Sequence, residues 1–278
     1  MRLLFVSLFV FGVARGQQSQ NPSPMVEHTR AHPRLPQQTP PGHREKLELG
    51  TLFVPAGLKN GAPVLFFFHG GTWLPEVAGA RDRVAIVSVQ AGSGSATYAK
   101  LFEDPARFLA LLKEAESKAG LHFGRVMVGG WSAGCGAIRQ MLKAPETYAR
   151  VDAALMIDGI HTDYVDGKPG PLESKIGMGN LEIWEKLARD AMAGRKRAVI
   201  THSEIFPGTF ASTTETADAL LGLVKVPRRA VLKWGPMGLQ QLSEARAGRF
   251  VLIGYAGNSA PDHVDQLHSL ATFLKWLM

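Results

Sequence analysis

Residues 125–142 read RVMVGGWSAGCGAIRQML, and the change of character in the middle of this stretch decides the fold. An apolar run from Val126 to Val128 gives way to Gly129-Gly130-Trp131-Ser132-Ala133-Gly134-Cys135-Gly136, and an amphipathic segment follows to Leu142. A strand that passes at once into a helix through crowded glycines predicts a tight turn around Ser132. Gly130-Trp131-Ser132-Ala133-Gly134 matches the G-x-S-x-G nucleophile elbow, with the strand before and the helix after that the motif requires. A serine held in a strained backbone conformation needs neighbours two before and two after it that carry no Cβ. Its hydroxyl then projects at a helix start, where backbone amides favour developing negative charge. The five residues alone are a weak signal, and an ordinary tight turn is the alternative; the flanking strand and helix give the motif its weight.

Outward from this stretch the chain alternates. REKLELGTLFVP (44–55) suits one or two edge strands, and APVLFFFHG (62–70) is a continuous apolar run, as a strand buried on both faces would read. RVAIVSVQAGSG (83–94), VDAALMIDG (151–159), RAVITHSE (197–204) and RFVLIGYAG (249–257) repeat that design. Between them, PARFLALLKEAESKAG (105–120), NLEIWEKLARDAMAG (180–194), TADALLGLV (216–224) and HVDQLHSLATFLKWL (263–277) have helical spacing, the third preceded by a capping box at Ser212 and Glu215. The order predicts an α/β fold, a doubly wound and mostly parallel sheet covered on both faces. Ligands of such sheets bind outside the carboxyl ends of the strands. Chemistry is therefore expected at His69-Gly70-Gly71, Gly92, Ser132, Asp158, His202-Ser203-Glu204 and the loop from Gly257 to His263.

The 278 residues, 45% hydrophobic and 20% charged, fit one well-cored domain. Arg2 precedes an apolar stretch, Leu3 to Val13, too short to span a bilayer comfortably, and Ala14-Arg15-Gly16 supplies small residues for cleavage after Gly16. Residues 1–16 read as a signal peptide, an uncleaved anchor being the alternative. The expectation is a secreted or periplasmic protein without a stable membrane anchor after cleavage. Loss of Arg2 and Arg15 would lower the formal charge from +7 to +5. Residues 17–43, rich in Gln and Pro, read as a flexible leader, and 44–278 as the catalytic domain. His28 and His32 lie one helical turn apart in the leader, but the prolines around them discourage a metal-binding helix. Cys135, the single cysteine, excludes an internal disulfide and stands in no lipobox. The small basic groups at Arg195-Lys196-Arg197 and Arg228-Arg229 lack interleaved aromatics and do not suggest a nucleic-acid site. No HExxH, CxxC or dinucleotide fingerprint occurs, so neither metal nor organic cofactor is expected.

From about Arg44 to Met278 the chain resembles the α/β-hydrolase superfamily. The resemblance rests on HGGTW (69–73), GWSAG (130–134) and GNSAPDHVDQL (257–267), each following a strand. It implies the α/β-hydrolase type of sheet, with no large cap domain evident, Ser132 as nucleophile, an oxyanion hole, and a histidine between the last strand and last helix. That histidine is His263. The oxyanion donors would be the N–H groups of Gly71, with Thr72 close behind, and Ala133. For the triad acid, Asp158 is preferred, because an ionised carboxylate after an apolar run needs a partner such as a histidine N–H; Glu204 is the alternative. Trp73, Trp131 and His161 are candidate substrate contacts. Residues 165–180 read as a flap or an ordinary surface loop, and Cys135 as packed rather than reactive. The implied activity is that of a secreted serine hydrolase, cleaving a small-molecule or polymer-derived carboxylic ester through an acyl-enzyme. A serine peptidase or amidase, or a binding protein that keeps the fold without the chemistry, are the alternatives.

Overall fold

The computed structural model describes residues 31–169 and 175–278. The signal-peptide reading of 1–16 and the leader up to residue 30 lie outside the described residues, as do His28 and 170–174 of the 165–180 loop. Ten strands form one sheet: β1 (Gly42–Leu47), β2 (Gly50–Pro55), β3 (Val64–Phe68), β4 (Ala85–Val89), β5 (Val126–Trp131), β6 (Ala153–Ile157), β7 (Arg197–His202), β8 (Arg229–Trp234), β9 (Gln240–Ala247) and β10 (Phe250–Tyr255). Their order is β1-β2-β4-β3-β5-β6-β7-β10-β9-β8. The run from β4 to β10 is parallel, while β1–β2 at one edge and β9–β8 at the other are antiparallel.

The unbroken apolar runs have a simple cause. Along β3, Val64, Phe66 and Phe68 join one apolar layer while Leu65 and Phe67 join the layer on the opposite face. All five are fully buried, so alternation along the strand has no polar side to show. The helices are α1 (Trp73–Asp82), α2 (Ser95–Lys100), α3 (Arg107–Ala119), α4 (Cys135–Met141), α5 (Pro145–Arg150), α6 (Glu182–Met192), α7 (Thr213–Val224), α8 (Ala260–His268) and α9 (Leu270–Leu277). Apolar residues of α3, α4, α6 and α7 pack into the first layer, and those of α1 and α9 into the second.

Four features depart from the sequence reading. The β8–β9 hairpin was not expected; β8 is almost wholly exposed and carries no apolar alternation that would reveal a strand. The terminal helix divides at Ser269, whose hydroxyl donates to the Asp265 carbonyl at 2.7 Å, a back-bond that bends helices. The leader is not free throughout. Leu35 donates its N–H to His268 Nδ1 at 3.1 Å and packs on the second apolar layer, and Arg34 pairs with the buried Asp265. Its last two residues already belong to β1. The 165–180 loop is pinned at its base by a bridge between Tyr164 and Ile176, with Gly177 N–H donating to the Asp163 carbonyl at 2.6 Å.

Candidate active site

Ser132 leaves β5 through a single 3-10 turn, Ser132–Gly134, that runs directly into α4. Its φ of 51° lies in the left-handed region that L side chains rarely adopt. The turn is possible because a Cβ on Gly134 would collide with the Phe68 carbonyl of β3, and one on Gly130 would stand 2.8 Å from the Gly134 backbone. Strand, turn and helix are thus pressed together, and the serine at their junction carries the strain.

Asp158 follows β6 and has a φ of 45°, also left-handed. Its carboxylate is buried beneath three donors. Oδ1 accepts the Ser203 N–H at 2.7 Å and the Thr213 hydroxyl at 2.9 Å, and Oδ2 lies 2.7 Å from His263 Nδ1. Burial alone would push this carboxyl up, but the His263 and Ser203 contacts overcome it and hold the group well below the usual carboxylate range. An ionised Asp158 accepts the Nδ1–H of His263 and so leaves Nε2 as the imidazole's acceptor. Glu204 is elsewhere: exposed, with its carboxylate 3.4 Å from the Gly257 N–H. Of the two candidate acids, the fold brings only Asp158 to the histidine.

His263 sits in the first turn of α8, whose start is secured by a capping box between Ser259 and Asp262. Trp131, the residue before the serine, donates its indole N–H to the His263 carbonyl at 3.0 Å. Its ring stacks on the His263 imidazole at 4.4 Å between centroids, and its other neighbour is His69, stacked at 5.0 Å. Trp131 therefore supports the histidine, and no wall of either cavity described below includes it. Trp73 packs on the second apolar layer with an edge contact to His268, and neither of those cavities has it in its walls.

Two cavities meet at Ser132. One, of about 180 Å³, is lined by Ser132, Asp158, His161, His263, Ile205, Pro207, Phe210 and Thr213. The other, of about 450 Å³, includes Ser132, Ala133, Arg139, His161, Asp163 and Phe210 in its walls. His161 borders both, with Nδ1 3.4 Å from the Ala211 carbonyl, and burial lowers its pKa so that it is neutral at neutral pH. Arg139, Phe210 and Gln90 were missed in the sequence. Arg139 had a weak signal, being seven residues after Ser132 and so on the same side of the helix; Phe210 and Gln90 had none.

Gly71 behaves differently from its expected role. His69, Gly70 and Gly71 all have positive φ, at 71°, 94° and 86°. This turn aims the Gly71 N–H at Gln90 Oε1 (3.1 Å) while Gln90 Nε2 donates to the Gly71 carbonyl (3.1 Å). Neither Gly71 nor Thr72 lines a cavity at Ser132, whereas Ala133 does. Cys135 is buried and its thiol is pushed up by desolvation, which makes it unreactive.

Among the described residues, His32, Asp262 and Asp265 gather possible metal-ligand atoms within 4.8 Å of one another. Arg34 already supplies a cation to Asp265, and Ser259 engages the Asp262 carboxylate, so the group serves as an ion-paired clasp for the leader. No helix among the described residues is long and apolar enough to cross a membrane.

No protein-family model matches the sequence, and no curated protein does. Solved structures with a similar chain path include a zinc-bound, cold-adapted esterase from an Arctic intertidal metagenomic library, with 14% identity, 85% of this chain and 93% of that one covered, and a TM-score of 0.48. An acetyl xylan esterase from Aspergillus awamori has 15% identity, with 82% and 92% covered and a TM-score of 0.46. A soluble variant of monoglyceride lipase from Saccharomyces cerevisiae has 9% identity, with 87% and 96% covered and a TM-score of 0.44. The chain's own sheet order, the strained serine after β5 and the histidine in the first turn of the helix that follows β10 make this an α/β-hydrolase fold.

Proposed function

We propose that the protein is an exported serine hydrolase that cleaves a carboxylic ester through an acyl-enzyme. The observation that carries this reading is the 2.7 Å contact of His263 with the buried Asp158, at a cavity that His263 shares with the strained Ser132. Ser132 Oγ attacks the ester carbonyl while His263 Nε2 takes its proton. Asp158 keeps the proton on Nδ1 and stabilises the imidazolium that forms. The tetrahedral oxyanion is held by the Ala133 N–H at the start of the helical turn. Gly71 joins as second donor when Gln90, an exposed side chain whose hydrogen bonds among the described residues both go to Gly71, swings away. His263 then returns its proton to the leaving alcohol, and water repeats the cycle on the acyl-enzyme.

The alcohol must leave beside His263 to be protonated, which assigns it to the 180 Å³ cavity. The acyl group then occupies the 450 Å³ cavity, which His263 does not line. A small or polymer-derived ester is the substrate class. The test is hydrolysis of 4-nitrophenyl butyrate by the chain from Gln17 onward, beside Ser132→Ala. Turnover abolished by the substitution is the expected result; turnover equal in both, or none by a folded wild-type protein, overturns the reading. Amino-terminal sequencing of exported protein tests cleavage after Gly16.

A further inference from the structure

The wall of the acyl cavity carries one cation and one anion, Arg139 and Asp163. Asp163 is exposed and acts on Arg139 through space, favouring its charged form against the cost of burial, but makes no hydrogen bond or ion pair with it. Arg139 is half-buried on α4, and among the described residues its guanidinium makes neither a hydrogen bond nor an ion pair. Most other arginines among the described residues are engaged: Arg34, Arg44, Arg81, Arg107, Arg189 and Arg229, for example, each meet a carboxylate. A guanidinium taken partly from water without a hydrogen-bonded anion is unfavourable, and a ligand that supplies one in direct contact reduces that penalty.

Position adds to chemistry. Arg139 lies seven residues beyond Ser132, about 10 Å along a helix axis, and long helical side chains lean toward the amino-terminal end, here toward the serine. Arg139 also borders a second cavity of about 280 Å³, beyond the first, together with Lys143, Lys186 and Glu182. The path leading away from Ser132 along the acyl side therefore passes three cations and two carboxylates.

We propose that the acyl cavity recognises an ester whose acyl chain ends in a carboxylate, a hemiester of a dicarboxylic acid, with Arg139 binding that carboxylate while Ser132 attacks the ester at the other end. This substrate class rests on the hydrolase reading above. The terminal carboxylate takes a charge-assisted, two-pronged hydrogen bond from the guanidinium, and a terminal methyl in its place takes none.

Monomethyl adipate and methyl hexanoate differ only in that terminal group. Their kcat/KM values are to be measured on wild-type protein, Arg139→Lys and Arg139→Met. The expected ratio of adipate to hexanoate is about tenfold or more in wild type, smaller with lysine, near one with methionine, and falling with added salt. Because each ratio compares two substrates on one sample, partial loss of folded protein cancels. A wild-type ratio near one, or a ratio that survives Arg139→Met, overturns the proposal. If neither ester is hydrolysed, calorimetric titration of both compounds into Ser132→Ala and Ser132→Ala/Arg139→Met decides the site by itself, the hydrolase reading being decided separately with 4-nitrophenyl butyrate. Tighter binding of monomethyl adipate that disappears with Arg139→Met upholds the anion site; equal or absent binding overturns it.

Discussion

The two ends of the same parallel strands are built to opposite purposes. At the carboxyl ends of β3, β5 and β6 stand His69, Ser132 and Asp158, each a non-glycine residue with positive φ. Each such backbone costs about 1 kcal/mol or more and persists only where surrounding structure holds it. At the amino ends of β3, β5 and β6 no non-glycine residue has positive φ, and basic side chains close off loose carbonyls. Arg125, just before β5, donates to the Leu277 carbonyl at 2.8 Å, and Arg197, opening β7, donates to the Trp276 carbonyl at 3.0 Å. Lys196 bonds the Val151 carbonyl at 2.6 Å, and Asp152 accepts the Val126 N–H at 2.8 Å. The remaining positive-φ non-glycine residues, Arg83, Lys225 and Met237, lie at two helix ends and in a short turn. One end of the sheet holds the chain together; the other holds reactive groups where the chain alone would not place them.

Substitutions sort by end. Ser132→Ala is expected to lower kcat by about 10⁴-fold or more, with melting temperature unchanged or raised as hydroxyl and strain relax. A fall in stability with little loss of rate would break the comparison. Asp158→Asn keeps the shape but removes the charge that fixes the His263 tautomer, and a loss of about 10³–10⁴-fold in kcat is expected, against a small effect of Glu204→Gln. Near-wild-type rates for both would remove Asp158 from the triad.

The stability of the site is expected to depend on pH with a definite sign. Asp158 has a depressed carboxyl pKa, so its contribution is complete above the ordinary aspartate value of about 4 and fades as pH falls below it. The stability gap between wild type and Asp158→Asn, from urea unfolding between pH 3 and 7, should therefore be constant above about pH 4 and begin to narrow below it. A gap that widens on acidification would reverse the sign and refute the ionised Asp158. At the other end of the sheet, Arg125→Ala is expected to destabilise by about 1–2 kcal/mol with kcat/KM unchanged, read from urea midpoints and ester kinetics.

The legible part of the molecule was that written in local pattern. Ser132 announced itself because crowding in the elbow demands glycines at Gly130 and Gly134, and the central strands did so because burial on both faces removes polar residues from them. His263 was visible through its place after the last strand. What stayed hidden depends on distant partners. The contest between Asp158 and Glu204 turns on which carboxylate Ser203, Thr213 and His263 converge upon, which no spacing encodes. Gly71 looked like a donor facing the site because its glycine turn is local, while the Gln90 side chain that claims its amide comes from the end of the next strand. Strand β8 was missed because an exposed edge has no apolar face to leave a period in the sequence.

The central claim is that the strained Ser132 is activated by His263 and Asp158. Its most direct measurement is the intact mass of the chain from Gln17 onward after incubation with a fluorophosphonate, beside Ser132→Ala and Asp158→Asn. One adduct mapped to Ser132, absent from the alanine variant and formed far more slowly in the asparagine variant, is the expected result. A folded protein that takes no adduct, or one labelled as fast without the Asp158 charge, would contradict it.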